Sequence, residues 1–130
     1  MAAVSAVAGW SSGVSDQPAQ AFVTPGPNGA SCEIDVIVPN LPKRTWCVVE
    51  PPKVKASKAI GATLTPSGYL VICHGLKCVG NAPEQTRTLR YGHSISVGPF
   101  RCTALRRGVH CVVKKLGYGF LLSADRVTRE

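Results

Sequence analysis

Apolar and polar residues alternate along this chain in short bursts rather than in long periods. Cys32-Glu33-Ile34-Asp35-Val36 alternates strictly after its cysteine, which puts Ile34 and Val36 on one side of an extended backbone and Glu33 and Asp35 on the other. The run 31–38 therefore reads as a strand with one buried face. Comparable runs follow at 45–49, 59–64, 69–73, 94–97, 100–105, 109–114 and 118–123. Turn-forming clusters separate them: Pro51-Pro52, Pro66-Ser67-Gly68, Gly80-Asn81-Ala82-Pro83, Gly98-Pro99 and Gly117. Residues 63–70 read as a hairpin with Pro66 and Gly68 at its tip. Neither 53–60, hemmed in by Pro51-Pro52 and Gly61, nor 83–90, interrupted by Thr86 and Thr88, sustains a helix, and both read as loops. Short strands with turn signals at intervals of about 8–12 residues predict an all-β fold, a small antiparallel sandwich or barrel with little helix.

The N-terminal stretch differs in kind. Met1 to Val14 holds only Ala, Val, Ser, Gly and Trp besides the first residue, and the first charge is Asp16. Ala19-Gln20-Ala21 then offers small residues at the two positions a signal peptidase reads. No Lys or Arg follows Met1 and the stretch is only weakly apolar, as a start placed downstream of the natural one would leave it. The expectation is a signal peptide, a signal remnant or a disordered tail over 1–21, and a single β-rich domain over 22–130. The chain is then expected to be secreted or associated with the cell envelope. No apolar run approaches the roughly 18 residues of a membrane-spanning helix, so none is expected.

All six cysteines lie beyond that segment, and an even number behind an export signal reads as disulfides. Cys102 and Cys111 flank Arg106-Arg107-Gly108, and a reversal centred between the two arginines sets the cysteines directly opposite each other. Cross-strand neighbours have Cβ atoms about 4.5–5.5 Å apart, close to what a bridge needs. Cys32 and Cys47 are placed in the same way around Pro39-Asn40, and Cys73 and Cys78 enclose a short loop, His74-Gly75-Leu76-Lys77. Sequence-local pairing follows: 32–47, 73–78 and 102–111. Closing the 32–47 segment stabilises the fold by about 3 kcal/mol on the chain-entropy model. Zinc is the competing use, with Cys73, Cys78 and one of His74, His93 or His110 as ligands. Structural zinc sites, however, show two tight cysteine pairs where this chain has one loose one. His110 and Cys111 would also point to opposite faces of a strand.

The C-terminal third carries a resemblance. Leu89-Arg90-Tyr91-Gly92, Val97-Gly98-Pro99-Phe100-Arg101-Cys102-Thr103, Gly108-Val109-His110-Cys111 and Gly117-Tyr118-Gly119-Phe120-Leu121-Leu122-Ser123 occur in an order that resembles a family of small secreted actinobacterial (mycobacterial-type) proteins with no established activity. Phe22, Thr24-Pro25, Asn28 and Cys32 are similar to the segment that opens the family's mature chain. The chain departs from the family in having Tyr118 between glycines where a His is usual. It also has Val112-Val113 where an Asn usually follows the last cysteine, and Cys73 and Cys78 unusually close together. The resemblance implies export, a β-rich fold and disulfides, and no activity.

Catalytic chemistry finds little footing. No G-x-S-x-G occurs, no C-x-x-C occurs, and Gly117-x-Gly119 lacks the third glycine and the helix of a phosphate loop. Glu33 and Asp35 share a side of the first strand, which is also simply the solvent side of an amphipathic strand. The one enzymatic alternative is a small basic hydrolase, ribonuclease-like, in which His93 or His110 converges with Lys114 or Lys115 on a phosphate. No catalytic residue, metal or cofactor is assigned.

Charge changes the picture more. Fifteen Lys and Arg against seven Asp and Glu give +8, and loss of the segment holding Asp16 would raise this to +9. The basic residues punctuate loops and turns: Lys43-Arg44, Lys53, Lys55, Lys58, Arg87, Arg90, Arg106-Arg107 and Lys114-Lys115. An aromatic content of 6% argues against a nucleic-acid surface, which would interleave exposed rings with its charges. The expected partners are anionic envelope polymers, lipid head groups or an extracellular protein. Arg106, Arg107, Lys114 and Lys115 are the first candidates for an anionic contact, the bland alternative being a solubilising surface with no ligand.

Overall fold

The computed structural model describes residues 19–36, 42–80 and 87–130. Among them, ten strands form two antiparallel five-stranded sheets, each a simple meander. The first contains β1 (Ala19–Val23), β2 (Ser31–Asp35), β3 (Arg44–Val49), β4 (Ile60–Leu64) and β5 (Leu70–His74). The second contains β6 (Ser94–Val97), β7 (Phe100–Leu105), β8 (Gly108–Val113), β9 (Tyr118–Leu122) and β10 (Val127–Arg129). Neither sheet closes on itself, so the fold is a sandwich and not a barrel.

The alternation read along each strand becomes rows across each sheet. Phe22, Cys32, Cys47 and Ala62 stand in register in the first sheet, and Ile95, Cys102, Cys111 and Phe120 in the second. Both rows face inward and join Ile34, Leu64, Leu89, Val109 and Leu122 in one core. β4 packs over β9 and β10.

The two sheets repeat one plan. In each, the second and third strands carry a cysteine pair directly opposite one another, Cys32–Cys47 and Cys102–Cys111, and each pair is a disulfide. The third strand continues Cys-Val-Val in both, as Cys47-Val48-Val49 and Cys111-Val112-Val113. The fourth strand sets a glycine against the first of those valines, Gly61 opposite Val48 and Gly119 opposite Val112. The two disulfides meet in the middle, with Cys47 Sγ 3.9 Å from Cys111 Sγ. Neither bonded sulfur carries a proton, so this is packing between sulfurs rather than a hydrogen bond.

The third disulfide, Cys73–Cys78, sits outside the sandwich. It folds a one-turn 3-10 segment, Gly75–Cys78, back over the outer side of the first sheet. There Val48, Ala59 and Cys78 form a small cluster with Trp46, Cys73 and Val79 packed against it.

Several expectations shift. The boundary expected after Ala21 falls inside β1, where Ala19, Gln20 and Ala21 pair with Asp35, Ile34 and Glu33, and Gln20 is buried. Small residues suit a peptidase recognition site and a closely packed edge strand alike, so composition alone does not separate the two. β10 is an additional three-residue strand, and the 53–60 loop contains a short 3-10 turn, Ala56–Lys58. Residues 1–18, the Pro39-Asn40 turn and the first part of the 83–90 loop lie outside the described residues.

Candidate anion-binding surface

The four basic residues singled out in the sequence do not come together. Arg106 and Arg107 form the two-residue turn between β7 and β8, closed by the Leu105–Gly108 pair. Lys114 and Lys115 lie in the turn after β8, exposed, at its opposite end. Six residues of strand place the two turns about 20 Å apart. The arginines are also engaged. The Arg106 guanidinium stacks 4.5 Å from the centroid of the Tyr91 ring, and the Tyr91 hydroxyl donates to Pro25 O at 3.2 Å. Arg107 Nη1 donates to both carboxylate oxygens of Glu130 at 3.1 Å.

Asn28, Thr24 and Leu89 serve this same end of the sandwich. Asn28 donates from Nδ2 to Arg106 O and accepts at Oδ1 from Ala124 N–H, tying the β1–β2 turn to the second sheet. Thr24 Oγ1 accepts from Ala30 N–H inside that turn, and Leu89 N–H donates to Val23 O. The Asn28 contacts join the two sheets, and those of Thr24 and Leu89 fix the turn and the loop beside it, which is a structural task.

The histidines are not brought together either. Ala104 N–H donates to His93 O, which aligns His93 with Ala104, whereas His110 is in register with Thr103. Strand alternation therefore puts His93 on the side of Ala104 and Ile95, and His110 on the opposite side with Thr103 and Ser94. His110 Nε2 lies 3.0 Å from the main-chain oxygen of Glu130. Among the described residues, no three His, Cys, Asp or Glu side chains gather as metal ligands do.

A different basic group does converge. After β3 the chain passes through Pro51-Pro52, Lys53 N–H donates to Glu50 O, and Lys58 N–H and Ala59 N–H close the Ala56–Lys58 turn on Lys55 O and Ala56 O. Ala59 and Ile60 are buried, which fixes where the loop re-enters β4. At the far end of β4's partner, Gly75 turns the chain out of β5 with a φ of 79°, a conformation glycine adopts without steric cost. Its N–H donates to Ala59 O at 2.7 Å, docking the second turn on the first. The Cys73–Cys78 bridge and the bond from Val79 N–H to Leu76 O fix the second turn's shape. Lys55, Lys58, His74 and Lys77 all rise exposed from these two turns, and so does Leu76, 71% exposed.

Lys53 is exposed, but its Nζ donates to Gly26 O at 2.7 Å and so holds the β1–β2 turn. The nearest described carboxylate in this loop, Glu50, accepts from Gly80 N–H at 2.9 Å. A groove of about 350 Å³ lies beside it, lined by Gly29, Ser31, Val49, Glu50, Pro52 and Lys53.

On the outer side of the first sheet a second groove, about 360 Å³, is lined by Arg44, Trp46, Thr63 and the Cys73–Cys78 bridge. Glu33 and Asp35 stand on this side, as their spacing predicts, and Arg44 Nε donates to Asp35 Oδ2 at 3.2 Å. Burial, then the Asp35 charge, push the Glu33 carboxyl above its ordinary range against the opposing pull of Arg44 and of the Trp46 indole. Trp46 Nε1 is buried and reaches no partner at hydrogen-bonding geometry, so the indole's pull is weak and the rise stands.

Sequence reasoning placed Lys55 and Lys58 among the loop charges but could not rank them. What ranks them is contact between two loops well apart in sequence, made by the bond from Gly75 N–H to Ala59 O. The short disulfide loop was the one available signal, since it fixes a turn holding Leu76 and Lys77. No family model, curated protein or solved structure matches the chain.

Proposed function

We propose that this chain is an exported, non-enzymatic binding domain that holds anionic components of the cell envelope through phosphate or carboxylate groups. The observation that carries this reading is the convergence of Lys55, Lys58 and Lys77 on two docked turns, on a chain whose net charge is +8. Like charges gathered on one rigid end raise the local potential, and they do so without the ordering cost that a flexible basic tail would meet on binding. Three disulfides support export, because such bridges persist in oxidising compartments. The resemblance to secreted actinobacterial proteins points the same way. The alternative, a small basic hydrolase using His93 or His110, would have to work with one of them, because strand alternation places the two on opposite sides of their sheet.

Retention on an anionic matrix or on isolated wall material tests the reading. The parent protein is retained at low salt and elutes as salt shortens the screening length from about 10 Å at 0.1 M to about 3 Å at 1 M. The double variant Lys55→Glu/Lys58→Glu elutes at clearly lower salt, whereas Lys114→Glu/Lys115→Glu shifts less. Retention insensitive to salt, or equal shifts for both variants, overturns the assignment of the surface.

A further inference from the structure

We propose that the two docked turns form a membrane-contact surface, which seats the protein on a bilayer rich in anionic lipid with Leu76 inserted among the acyl chains. This deepens the anion-binding reading and rests on it. Cations alone suit any polyanion, and an exposed leucine does not. Leu76 is 71% exposed at the tip of a turn that also carries Lys77 and follows His74, and the backbone of that turn is bonded to the turn bearing Lys55 and Lys58. A soluble polymer gains nothing from that side chain. A bilayer interface gains from both parts, because lysines meet anionic head groups while an apolar side chain reaches the acyl boundary about 5–10 Å deeper.

The strand that leads into the tip is also apolar, with exposed residues on both of its sides. β5 is the edge strand of the first sheet, and it leaves Val71 48% and Ile72 41% exposed on the residues that lead into the turn. From Tyr69 to Leu76 the chain carries no Lys, Arg, Asp, Glu or Pro, the residues that ordinarily keep an edge strand from associating.

Cosedimentation with vesicles of equal parts phosphatidylglycerol and phosphatidylcholine tests this, with pure phosphatidylcholine vesicles and soluble polyphosphate as companion probes. The parent binds the mixed vesicles and polyphosphate, and not pure phosphatidylcholine. Leu76→Ser weakens vesicle binding about tenfold or more, as loss of a buried leucine predicts, and leaves polyphosphate affinity unchanged, which also shows that the variant is folded. Lys55→Glu/Lys58→Glu weakens both, by at least about fivefold per lysine. Leu76→Trp gives a blue-shifted emission on mixed vesicles that the parent does not show. If the parent binds polyphosphate but not mixed vesicles, or Leu76→Ser binds vesicles as the parent does, membrane insertion is overturned while anion binding stands. If the parent binds neither, both fall.

Discussion

At the residue scale, Glu33 stands out among the described residues as a carboxylate whose surroundings disfavour its charge. It stands opposite Trp46 on the outer side of the first sheet, partly buried, two residues from Asp35. A carboxyl whose folded-state affinity for protons exceeds its unfolded one binds more protons in the native state, so native stability falls as pH rises through that window. The cost is present above the raised value and absent well below the ordinary value of 4.5, where both states are protonated. Glu33→Gln therefore melts at a higher temperature than the parent at neutral pH, and the gap closes as pH drops through the carboxylate range. Thermal melts across a pH series check this. A parent more stable than the variant at neutral pH would mean that Arg44 and the Trp46 indole outweigh burial. That Glu33 and Asp35 share a side was legible in the sequence, because a period of two needs only the chain. That Asp35 takes Arg44 while Glu33 is left half-covered was not, because it depends on register with β3.

At the scale of elements, the repeated plan of the two sheets makes two glycines comparable. A Cβ on Gly119 would land on the main chain of Cys111 and 2.8 Å from Val112 Cα, atoms that cannot move without breaking the ladder. A Cβ on Gly61 would meet Cys73 Sγ at 2.9 Å and Cys47 O at 3.1 Å, where part of the obstruction is a side chain of the outer disulfide. Gly119→Ala thus costs about 3 kcal/mol or more, and Gly61→Ala about 1–3 kcal/mol, in the range of overpacked cores. Denaturant titration of the two variants gives the comparison, and equal losses would argue against a rigid ladder at Gly119. The hairpins were legible for a related reason: Cys102 and Cys111 are equidistant from the Arg106-Arg107 turn, so a reversal there fixes register as well as pairing. The triplets Cys47-Val48-Val49 and Cys111-Val112-Val113 are visible in the chain, yet the equivalence of Gly61 and Gly119 emerges only once register is known. β1 and β10 escaped because neither sets apolar residues on its inner side in a readable pattern, β1 burying the polar Gln20 there. β1 opens on Ala19-Gln20-Ala21, and β10 is three residues long with none buried.

At the scale of the molecule, the three disulfides divide the labour between fold and surface. Cys32, Cys47, Cys102 and Cys111 are at most 1% exposed and stack at the centre of the core, where no reductant reaches them without opening the sandwich. Cys73 alone among the six is partly exposed, and its bridge to Cys78 holds the turn that presents Leu76 and Lys77. The surface was hard to read from sequence for that reason: its parts are ordinary loop lysines until a short outer bridge and one bond from Gly75 to Ala59 set them side by side. Closing so short a loop contributes about 2 kcal/mol on the chain-entropy model, less than the inner bridges. Brief exposure of native protein to dilute dithiothreitol, followed by alkylation and peptide mapping, therefore labels Cys73 and Cys78 before any other cysteine. The product still unfolds cooperatively, at a lower temperature, because the stacked inner pair is intact. Its retention on an anionic matrix drops toward that of Lys55→Glu/Lys58→Glu, because the second turn is no longer held against the first. Simultaneous labelling of all six cysteines would show instead that the outer bridge and the core open as one unit, and the surface could not then be loosened without losing the fold.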